Sequence, residues 1–256
     1  MTAKTILITG ASRGIGAAAA RLLGSQGHRV AVAARSLDAL AALAEDINAG
    51  PGEAIALKCD VSNAADVAQA VSNTLQHYGR LDVLVNNAGL IEPIAHIADI
   101  DPAAWSQVVD VNTKGVFYGL RYAIPPMLEQ GSGTVINISS GAATKALEGW
   151  SHYCATKAAV LSLTRCAHVE YGDRGITVVG MSPGTVATDM QTAIRASGVN
   201  PVSQLDPSAH IPADWAARAI AYLCTDAARE FAGTDFSIKT DEGRARIGLP
   251  PREAVG

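Results

Sequence analysis

A tyrosine and a lysine stand four residues apart in the run Tyr153-Cys154-Ala155-Thr156-Lys157, near the start of a long stretch with helical spacing. On a helix, this spacing places Tyr153 and Lys157 on one face, one turn apart. A free tyrosine has a pKa of about 10, which is too high for proton transfer near neutral pH. A neighbouring ammonium group favours the phenolate and lowers that pKa. The pair therefore indicates general acid–base catalysis, although the same spacing also occurs in ordinary amphipathic helices.

A glycine-rich turn follows the first apolar run and precedes an Ala-rich helical segment. Glycines let the backbone approach a pyrophosphate, while the start of the helix supplies N–H groups and the positive end of its dipole. The spacing is G-x-x-x-G-x-G rather than the G-x-G-x-x-G of the standard fingerprint, and a plain strand–helix turn is the alternative. The pattern predicts dinucleotide binding by Gly10, Ser12, Arg13, Gly14, Ile15 and Gly16.

The end of the second predicted strand bears on the choice of cofactor. NAD sites usually place a carboxylate there, whereas this chain has Ala33-Ala34 followed by Arg35. A guanidinium group attracts a 2′-phosphate, and Arg13 in the glycine loop adds a second cation. We therefore predict NADP(H) over NAD(H) by roughly ten- to a thousand-fold in kcat/KM. In the competing interpretations, Arg35 stacks on the adenine or Arg13 folds back on the protein surface, and NAD(H) is then also used.

Short β-branched runs alternate with longer Ala- and Leu-rich segments along the 256 residues. The predicted strands are 5–9, 29–34, 54–59, 81–85, 134–138, 176–181 and 235–238. The predicted helices are 14–25, 37–48, 63–78 with Ser62 as its N-cap, 102–129 with a bend or break at Pro125 and Pro126, 152–171 and 213–223. Such alternation predicts an open parallel sheet with helices on both faces. We expect a single domain, 1–256, with a substrate-binding loop at 188–212 and a C-terminal tail at 244–256.

Composition excludes several classes of protein. With 48% hydrophobic and 17% charged residues, the chain is globular, and its formal net charge of −4 without a basic run argues against nucleic-acid binding. No apolar stretch is long enough to cross a membrane. The four cysteines lack the spacing of a metal site, so no metal is expected. Together with the lack of a signal peptide, these features predict a cytoplasmic protein.

The motifs taken together resemble the short-chain dehydrogenase/reductase family, and the resemblance covers nearly the whole chain. The matching runs are TGASRGIG at 9–16, CDVS at 59–62, NNAG at 86–89, VN at 111–112, INISS at 136–140, YCATK at 153–157 and SPGTVATDM at 182–190. The resemblance implies an α/β fold with a Rossmann-like doubly wound parallel sheet of about seven strands in the order 3-2-1-4-5-6-7.

The same resemblance implies a role for each catalytic candidate. Tyr153 would be the general acid in carbonyl reduction and the base in alcohol oxidation. Lys157 would bind the nicotinamide ribose and lower the pKa of Tyr153. Ser140 would hydrogen-bond the substrate oxygen, while its neighbour Ser139 should point away from the site. Asn112 would hold a water molecule that links Lys157 to solvent.

Family motifs also imply the remaining cofactor and substrate contacts. The adenosine half would be bound by Asp60, Val61, Asn86, Ala88 and Gly89, and the nicotinamide half by Pro183, Gly184, Val186 and Thr188. The apolar candidates for the substrate pocket are Leu90, Ile91, Ala142, Trp150 and Met190, although Trp150 could equally be a core residue. Its polar candidates are Glu148, Gln191 and His152, and the last of these is expected to be half exposed.

These observations predict an NADP(H)-dependent oxidoreductase that moves a hydride between the nicotinamide and a ketone, an aldehyde or a secondary alcohol. The resemblance also implies such substrates rather than a carbon–carbon double bond, because enoyl-reducing members of the family space the tyrosine and lysine more than four residues apart. The alternatives are a non-catalytic NADP-binding sensor and an epimerase or dehydratase that uses the cofactor transiently. A homodimer or homotetramer is expected through helices 102–129 and 152–171. The run 240–243 departs from the family's usual V-D-G-G, which puts the usual C-terminal subunit contacts in question.

Overall fold

The computed structural model describes residues 2–251, which form one seven-stranded parallel sheet between two layers of helices. The strand order is the predicted one, β3-β2-β1-β4-β5-β6-β7. The strands are β1 (Thr5–Thr9), β2 (Arg29–Ala34), β3 (Glu53–Lys58), β4 (Val83–Asn86), β5 (Gly133–Ile138), β6 (Ile176–Ser182) and β7 (Asp235–Ser237).

The helices cover both faces of the sheet. They are α1 (Gly14–Ser25), α2 (Leu37–Asn48), α3 (Ala64–Tyr78), α4 (Pro102–Val109), α5 (Gly115–Glu129), α6 (Ser151–Tyr171), α7 (Asp189–Ser197), α8 (Ala213–Leu223) and α9 (Asp241–Arg246). Side chains of β1 alternate between the two layers. Ile6 and Ile8 pack in a core with α1, α2 and α8, while Leu7 packs in a second core with α3, α5 and α6. A strand buried on both faces is continuously apolar, as β1 is.

The carboxyl ends of β1, β2, β4, β5 and β6 meet at one edge of the sheet. The chain order reverses between β1 and β4, because β1 leads outward to β2 and β3 while β4 leads to β5. Open α/β sheets bind ligands in the crevice that forms at such a switch point. The segments that follow these strands therefore define the functional edge.

The predicted helix 102–129 is interrupted, but not at its prolines. Pro125 and Pro126 lie within α5, and the interruption is a widened π-turn at 110–114 between α4 and α5. Burial of Ile124 and Met127 on either side of the prolines outweighs the backbone hydrogen bonds that they remove. Widened turns of this kind frequently occur at functional sites, and this one carries Asn112.

Three smaller predictions are also corrected. Asn63 rather than Ser62 caps α3, because its Oδ1 accepts from the Ala65 backbone N at 2.9 Å while Ser62 donates to Asp60. The predicted loop 188–212 contains α7 and two short 3-10 turns. The predicted tail 244–256 begins inside α9, where the Arg244 guanidinium lies 5.1 Å from the Trp215 ring centre. Its residues 252–256 lie outside the described part of the chain.

Within residues 2–251, no helix combines the length and the apolar character that a membrane span requires.

Candidate active site

A groove of about 1030 Å³ runs along the carboxyl edge of the sheet. Most of the predicted cofactor, catalytic and pocket residues line it: Gly10, Ser12, Arg13, Gly14, Ile15, Arg35, Asp60, Val61, Ala88, Gly89, Leu90, Ile91, Ser140, Ala142, Trp150, Tyr153, Lys157, Pro183, Gly184, Val186, Thr188, Met190 and Gln191. The polar candidates Glu148 and His152 do not line it. Gly16, Asn86 and Asn112, which were also predicted, are buried and do not line it.

The glycine loop leaves backbone N–H groups facing the groove. Gly10 adopts φ +65°, and a Cβ there would come within 2.7 Å of the Ala88 Cα, so the turn requires glycine. Helix α1 begins at Gly14 without a side-chain cap, which leaves its first N–H groups available to an anion. Gly16 instead allows the Asn87 amide to pack closely behind the loop. The uncapped helix start is suited to a pyrophosphate.

Asn87 braces this loop from the end of β4. Its Nδ2 donates to the carbonyl oxygens of Thr9 and Gly10 at 2.9 and 3.1 Å. The Thr9 hydroxyl in turn accepts from the Asn87 backbone N at 3.1 Å. These bonds tie the ends of β1 and β4 together beneath the glycine loop.

Two arginines line the groove, in different environments. Arg35 is exposed directly after β2. Burial acts to raise the pKa of Asp60, but hydrogen bonds from Ser62 and, to a smaller extent, the charge of Arg35 lower that pKa overall. The Arg13 Nη1 lies 2.8 Å from Asp189 Oδ2 in an exposed ion pair. Arg13 is therefore held against α7, as in the competing interpretation of this residue.

Tyr153, Ser140 and Lys157 meet at the inner end of the groove. The Lys157 Nζ donates to the Ile138 carbonyl oxygen at 2.7 Å and lies 5.6 Å from the centre of the Tyr153 ring. Burial raises the pKa of Tyr153 to about 12, with a hydrogen bond from Ser140 acting in the opposite direction. Burial also lowers the pKa of Lys157 to about 8. The pKa of Tyr153 is therefore raised rather than lowered, because the effect of burial exceeds that of the Ser140 hydrogen bond.

Two asparagines that were expected in the site are buried beside it. The Asn112 Oδ1 accepts a hydrogen bond from the Leu90 backbone N at 2.8 Å, and its Nδ2 donates to the Leu90 carbonyl oxygen and to Thr156 Oγ1. Asn112 therefore holds the segment after β4 against α6. The Asn86 Nδ2 donates to Asn137 Oδ1 at 2.9 Å between β4 and β5. The Asn86 side chain therefore connects neighbouring strands.

An apolar wall encloses the catalytic end. Trp150 lies edge-on to Tyr153, with ring centres 5.7 Å apart, and packs in one cluster with Ile91, Ala142 and Ile194. Trp150 is thus both a core residue and part of the groove wall. His152 is fully buried rather than half exposed, because its Nε2 bonds the Ile91 carbonyl at 2.6 Å.

Comparison with known proteins identifies the family. The family model described as short chain dehydrogenase matches residues 4–198. The chain belongs to the short-chain dehydrogenase family. It is therefore an oxidoreductase of a family that binds a nicotinamide cofactor.

Relatives of this short-chain dehydrogenase span almost its whole length. The chain is 39% identical over 241 residues to a 3-oxoacyl-[acyl-carrier-protein] reductase of Synechocystis sp., with 93% of this chain and 96% of that protein covered. It is 31% identical over 238 residues to a cyclohexanol dehydrogenase of Acinetobacter sp., with 92% and 93% covered. The crystal structure of levodione reductase matches with a TM-score of 0.86 at 30% identity, covering 94% of this chain and 98% of that one.

Sequence reasoning missed several residues that line the groove of this short-chain dehydrogenase. They are Ser36 and Ala39 near Arg35, and Lys145, Leu147, Ile194, Val202 and Lys239 elsewhere. Ile194 and Val202 reach the groove only because the segment after β6 folds over it, and no local pattern signals that approach. Lys239 directly precedes the run 240–243, whose departure from the family pattern was the one sequence feature that drew attention to this segment. Glu148, a polar candidate, pairs with His96 at 2.8 Å outside the lining.

Proposed function

We propose that this chain is an NADP(H)-dependent oxidoreductase that transfers a hydride between the nicotinamide and the carbonyl carbon of a ketone or aldehyde, or in reverse from a secondary alcohol. The observation that carries the proposal is the meeting of Ser140, Tyr153 and Lys157 at the inner end of a groove whose other end is an uncapped helix start. Phosphates would be held at that helix start, and the reacting carbon would lie beside Tyr153.

The proposed roles follow from what each side chain can do with a proton. The nicotinamide cofactor, when bound, supplies the hydride for reduction or accepts it in oxidation. In reduction, Ser140 hydrogen-bonds the substrate oxygen and Tyr153 donates its proton to that oxygen as the carbon is reduced. Lys157, charged below about pH 8, stabilises the phenolate that remains. Asn112 holds the Leu90 segment against α6, and its proposed relay to solvent would restore the proton.

A preference for NADP(H) is part of the proposal. Ala34 leaves no carboxylate at the end of β2 to repel a 2′-phosphate, and the exposed Arg35 follows it at the groove. A charge-assisted hydrogen bond from a guanidinium contributes about 1.5 to 3 kcal/mol. Arg35 is the main contact in this proposal, while Arg13 can contribute only by leaving Asp189.

The substrate class is proposed from the wall around Tyr153. Leu90, Ile91, Leu147, Trp150 and Met190 make this end of the groove mostly apolar, with Ser140 and Tyr153 as its hydrogen-bonding corner. Such a pocket is suited to a ketone or secondary alcohol of modest size. The names of the relatives, a 3-oxoacyl reductase and a cyclohexanol dehydrogenase, give two substrate shapes to test.

The test follows NADPH absorbance with a panel that includes a 3-oxoacyl thioester, cyclohexanone and simple aldehydes, and follows NADP⁺ reduction with cyclohexanol. We expect turnover with at least one carbonyl and a loss of about a thousand-fold or more in Tyr153→Phe. Tyr171→Phe is the matched control, since Tyr171 lies on the same helix away from the groove. Equal turnover by wild type and Tyr153→Phe would contradict the mechanism. Tight NADPH binding without hydride transfer would favour the sensor, and steady NADP⁺ formation would exclude the transient-cofactor alternative.

We also propose a homodimer or homotetramer. Three large apolar side chains are exposed on the helices expected to pair, namely Trp105 on α4, Phe117 on α5 and Val169 on α6. Exposed apolar groups on neighbouring helices are typical of subunit interfaces.

A further inference from the structure

Asp235 is a carboxylate that the proposed chemistry does not use, although it lies close to the catalytic end. It belongs to the edge strand β7 and pairs in register with Gly180 of β6. Its Oδ1 occupies the space that any side chain at position 180 would need. The glycine therefore makes room for an acidic group inside the sheet edge, where burial raises the pKa of Asp235.

The two oxygens of this carboxylate have different surroundings. Oδ2 accepts from the Ser139 hydroxyl at 2.6 Å. Oδ1 is buried and has no hydrogen-bond partner among the residues that the structure describes. Leaving a buried acceptor unpaired destabilises a protein by about 1 to 3 kcal/mol. An acidic side chain in this position is therefore unfavourable for stability by itself, which points to a role in the site.

Ser139 connects Asp235 to the catalytic groups through three consecutive residues at the end of β5. The Ile138 carbonyl accepts from Lys157 Nζ at 2.7 Å, Ser139 bonds Asp235, and Ser140 hydrogen-bonds Tyr153. The Ser139 hydroxyl is thus bonded to β7, while Ser139 also lines the groove between its neighbours Ile138 and Ser140. Any movement of Ser139 would displace the contacts of both Lys157 and Tyr153.

Charge links the same groups. Burial lowers the pKa of Lys157, and the charge of Asp235 acts to raise it. In turn, the positive charges of Arg165 and Lys157 on α6 act to lower the pKa of Asp235. The Tyr153 ring centre lies 5.6 Å from the Lys157 Nζ on the same helix, and both Lys157 Nζ and Asn112 Oδ1 lie within 4 Å of the position that a Cβ at Gly89 would take. Asp235 is the negatively charged group that acts on Lys157 among these neighbours.

We propose that Asp235 is a positioning residue, which holds the end of β5 through Ser139 and whose negative charge keeps the Lys157 ammonium protonated. This inference rests on the proposed function, because it assigns a task to Lys157. It goes beyond that function by assigning a positioning role to a residue of β7, a strand that the proposed mechanism does not otherwise use.

Two substitutions separate the hydrogen bond from the charge. Asp235→Asn removes the charge and keeps an oxygen acceptor for Ser139, whereas Ser139→Ala removes the bond and keeps the charge. Asp82→Asn is the matched control, since Asp82 is a largely buried carboxylate just before the central strand β4, at the amino ends of the strands and outside the groove. Should Asp235→Asn fail to fold, Asp235→Thr tests the same point with a hydroxyl in place of the charge.

The first measurement does not depend on activity. In protein carrying ¹³C-labelled lysine, the resonance that Lys157→Met removes reports the titration of Lys157. We expect its midpoint to fall by about half a pH unit or more in Asp235→Asn and to stay unchanged in Asp82→Asn. An unchanged midpoint in Asp235→Asn would overturn the electrostatic role, whether or not any substrate is found.

The second measurement is kinetic and uses the substrate found for the wild type. We expect Ser139→Ala to lower kcat about tenfold with little change in KM, because the transition-state contacts of Ser140 and Lys157 are displaced. In Asp235→Asn, the alkaline limb of the pH profile should move to lower pH. Wild-type kcat in Ser139→Ala would overturn the positioning role. If no panel member is turned over, the proposed function fails, while the NMR titration still decides on Asp235.

Discussion

The Arg13 guanidinium and the Asp189 carboxylate join the glycine loop after β1 to the first turn of α7, with 2.8 Å between Nη1 and Oδ2. Both side chains are about three-quarters exposed, at 72% and 74%. An exposed pair of this kind contributes about 0 to 1 kcal/mol, so a ligand phosphate can compete for Arg13. The pair closes one side of the groove between segments 176 residues apart in the chain.

The two arginines should therefore contribute unequally to cofactor choice. We expect Arg35→Ala to lower kcat/KM for NADPH by about ten- to a hundred-fold and to leave kcat/KM for NADH nearly unchanged. Arg13→Ala should lower the NADPH value by less than about fivefold, because its guanidinium must first leave Asp189. The check is kcat/KM with both cofactors for each variant.

Asp189→Asn is the control for this comparison. It releases Arg13 without removing it, and the NADPH preference should then rise slightly or stay the same. Equal losses in Arg35→Ala and Arg13→Ala would contradict the division of roles.

Gly10 and Gly131 share a left-handed backbone but differ in their surroundings. At Gly10, φ +65°, a Cβ would collide with the Ala88 backbone. At Gly131, φ +74°, a Cβ would have no atom within 4 Å beyond its own chain neighbours. We expect Gly131→Ala to destabilise the fold by about 1 kcal/mol through backbone strain alone. Gly10→Ala should cost about 2 kcal/mol more from the collision and weaken NADPH binding by about tenfold or more. Urea unfolding and NADPH fluorescence titration measure both; equal destabilisation would refute the close approach.

Lys157 should make the ligand-free fold less stable near neutral pH. Its pKa falls from 10.5 to about 8 on folding, so at pH 7 both the folded and the unfolded chain are charged and the folded state bears the full cost. As pH rises through about 8, the folded chain loses the proton first, and the cost vanishes near 10.5. We expect Lys157→Met to stabilise the protein at pH 7 by about 1 to 2 kcal/mol, since a cost of about 3 kcal/mol is offset by the lost bond to Ile138.

Urea unfolding of wild type and Lys157→Met at pH 7 and pH 10 checks this prediction. The stabilisation should shrink towards pH 10, while activity is lost at every pH. A variant that is equally destabilised at both pH values would show that burial of the lysine is not costly.

The oligomer should depend on the apolar faces of α5 and α6. Phe117 and Leu37 are 48% and 46% exposed, but only Phe117 lies on a helix expected to pair. We expect Phe117→Glu to lower the mass seen by light scattering at micromolar concentration and Leu37→Glu to leave it unchanged. A wild type that is already monomeric, or a Phe117→Glu variant of unchanged mass, would contradict the proposed interface.

Local patterns along the chain were sufficient for the strands, most helices and the groove residues. The unbroken apolar run of β1 and the glycines after it follow from burial on both faces and from a turn that needs φ > 0. The four-residue spacing of Tyr153 and Lys157 sets their common face, because helix geometry allows no other arrangement. Where strong tertiary packing competed with a local rule, as at Pro125 and Pro126, the local rule was overridden.

The sequence by itself determined which chemistry the chain carries, because acid–base groups, a glycine turn and the arginine after β2 are local features. Only the tertiary structure decided which partner each group has. Arg13 meets Asp189, Asn86 meets Asn137, and Ser139 meets Asp235, each across a long stretch of chain. The physical reason is that such pairs, and the burial that shifts the pKa values of Tyr153 and Lys157, depend on how the strands and helices pack, which no spacing along the chain encodes.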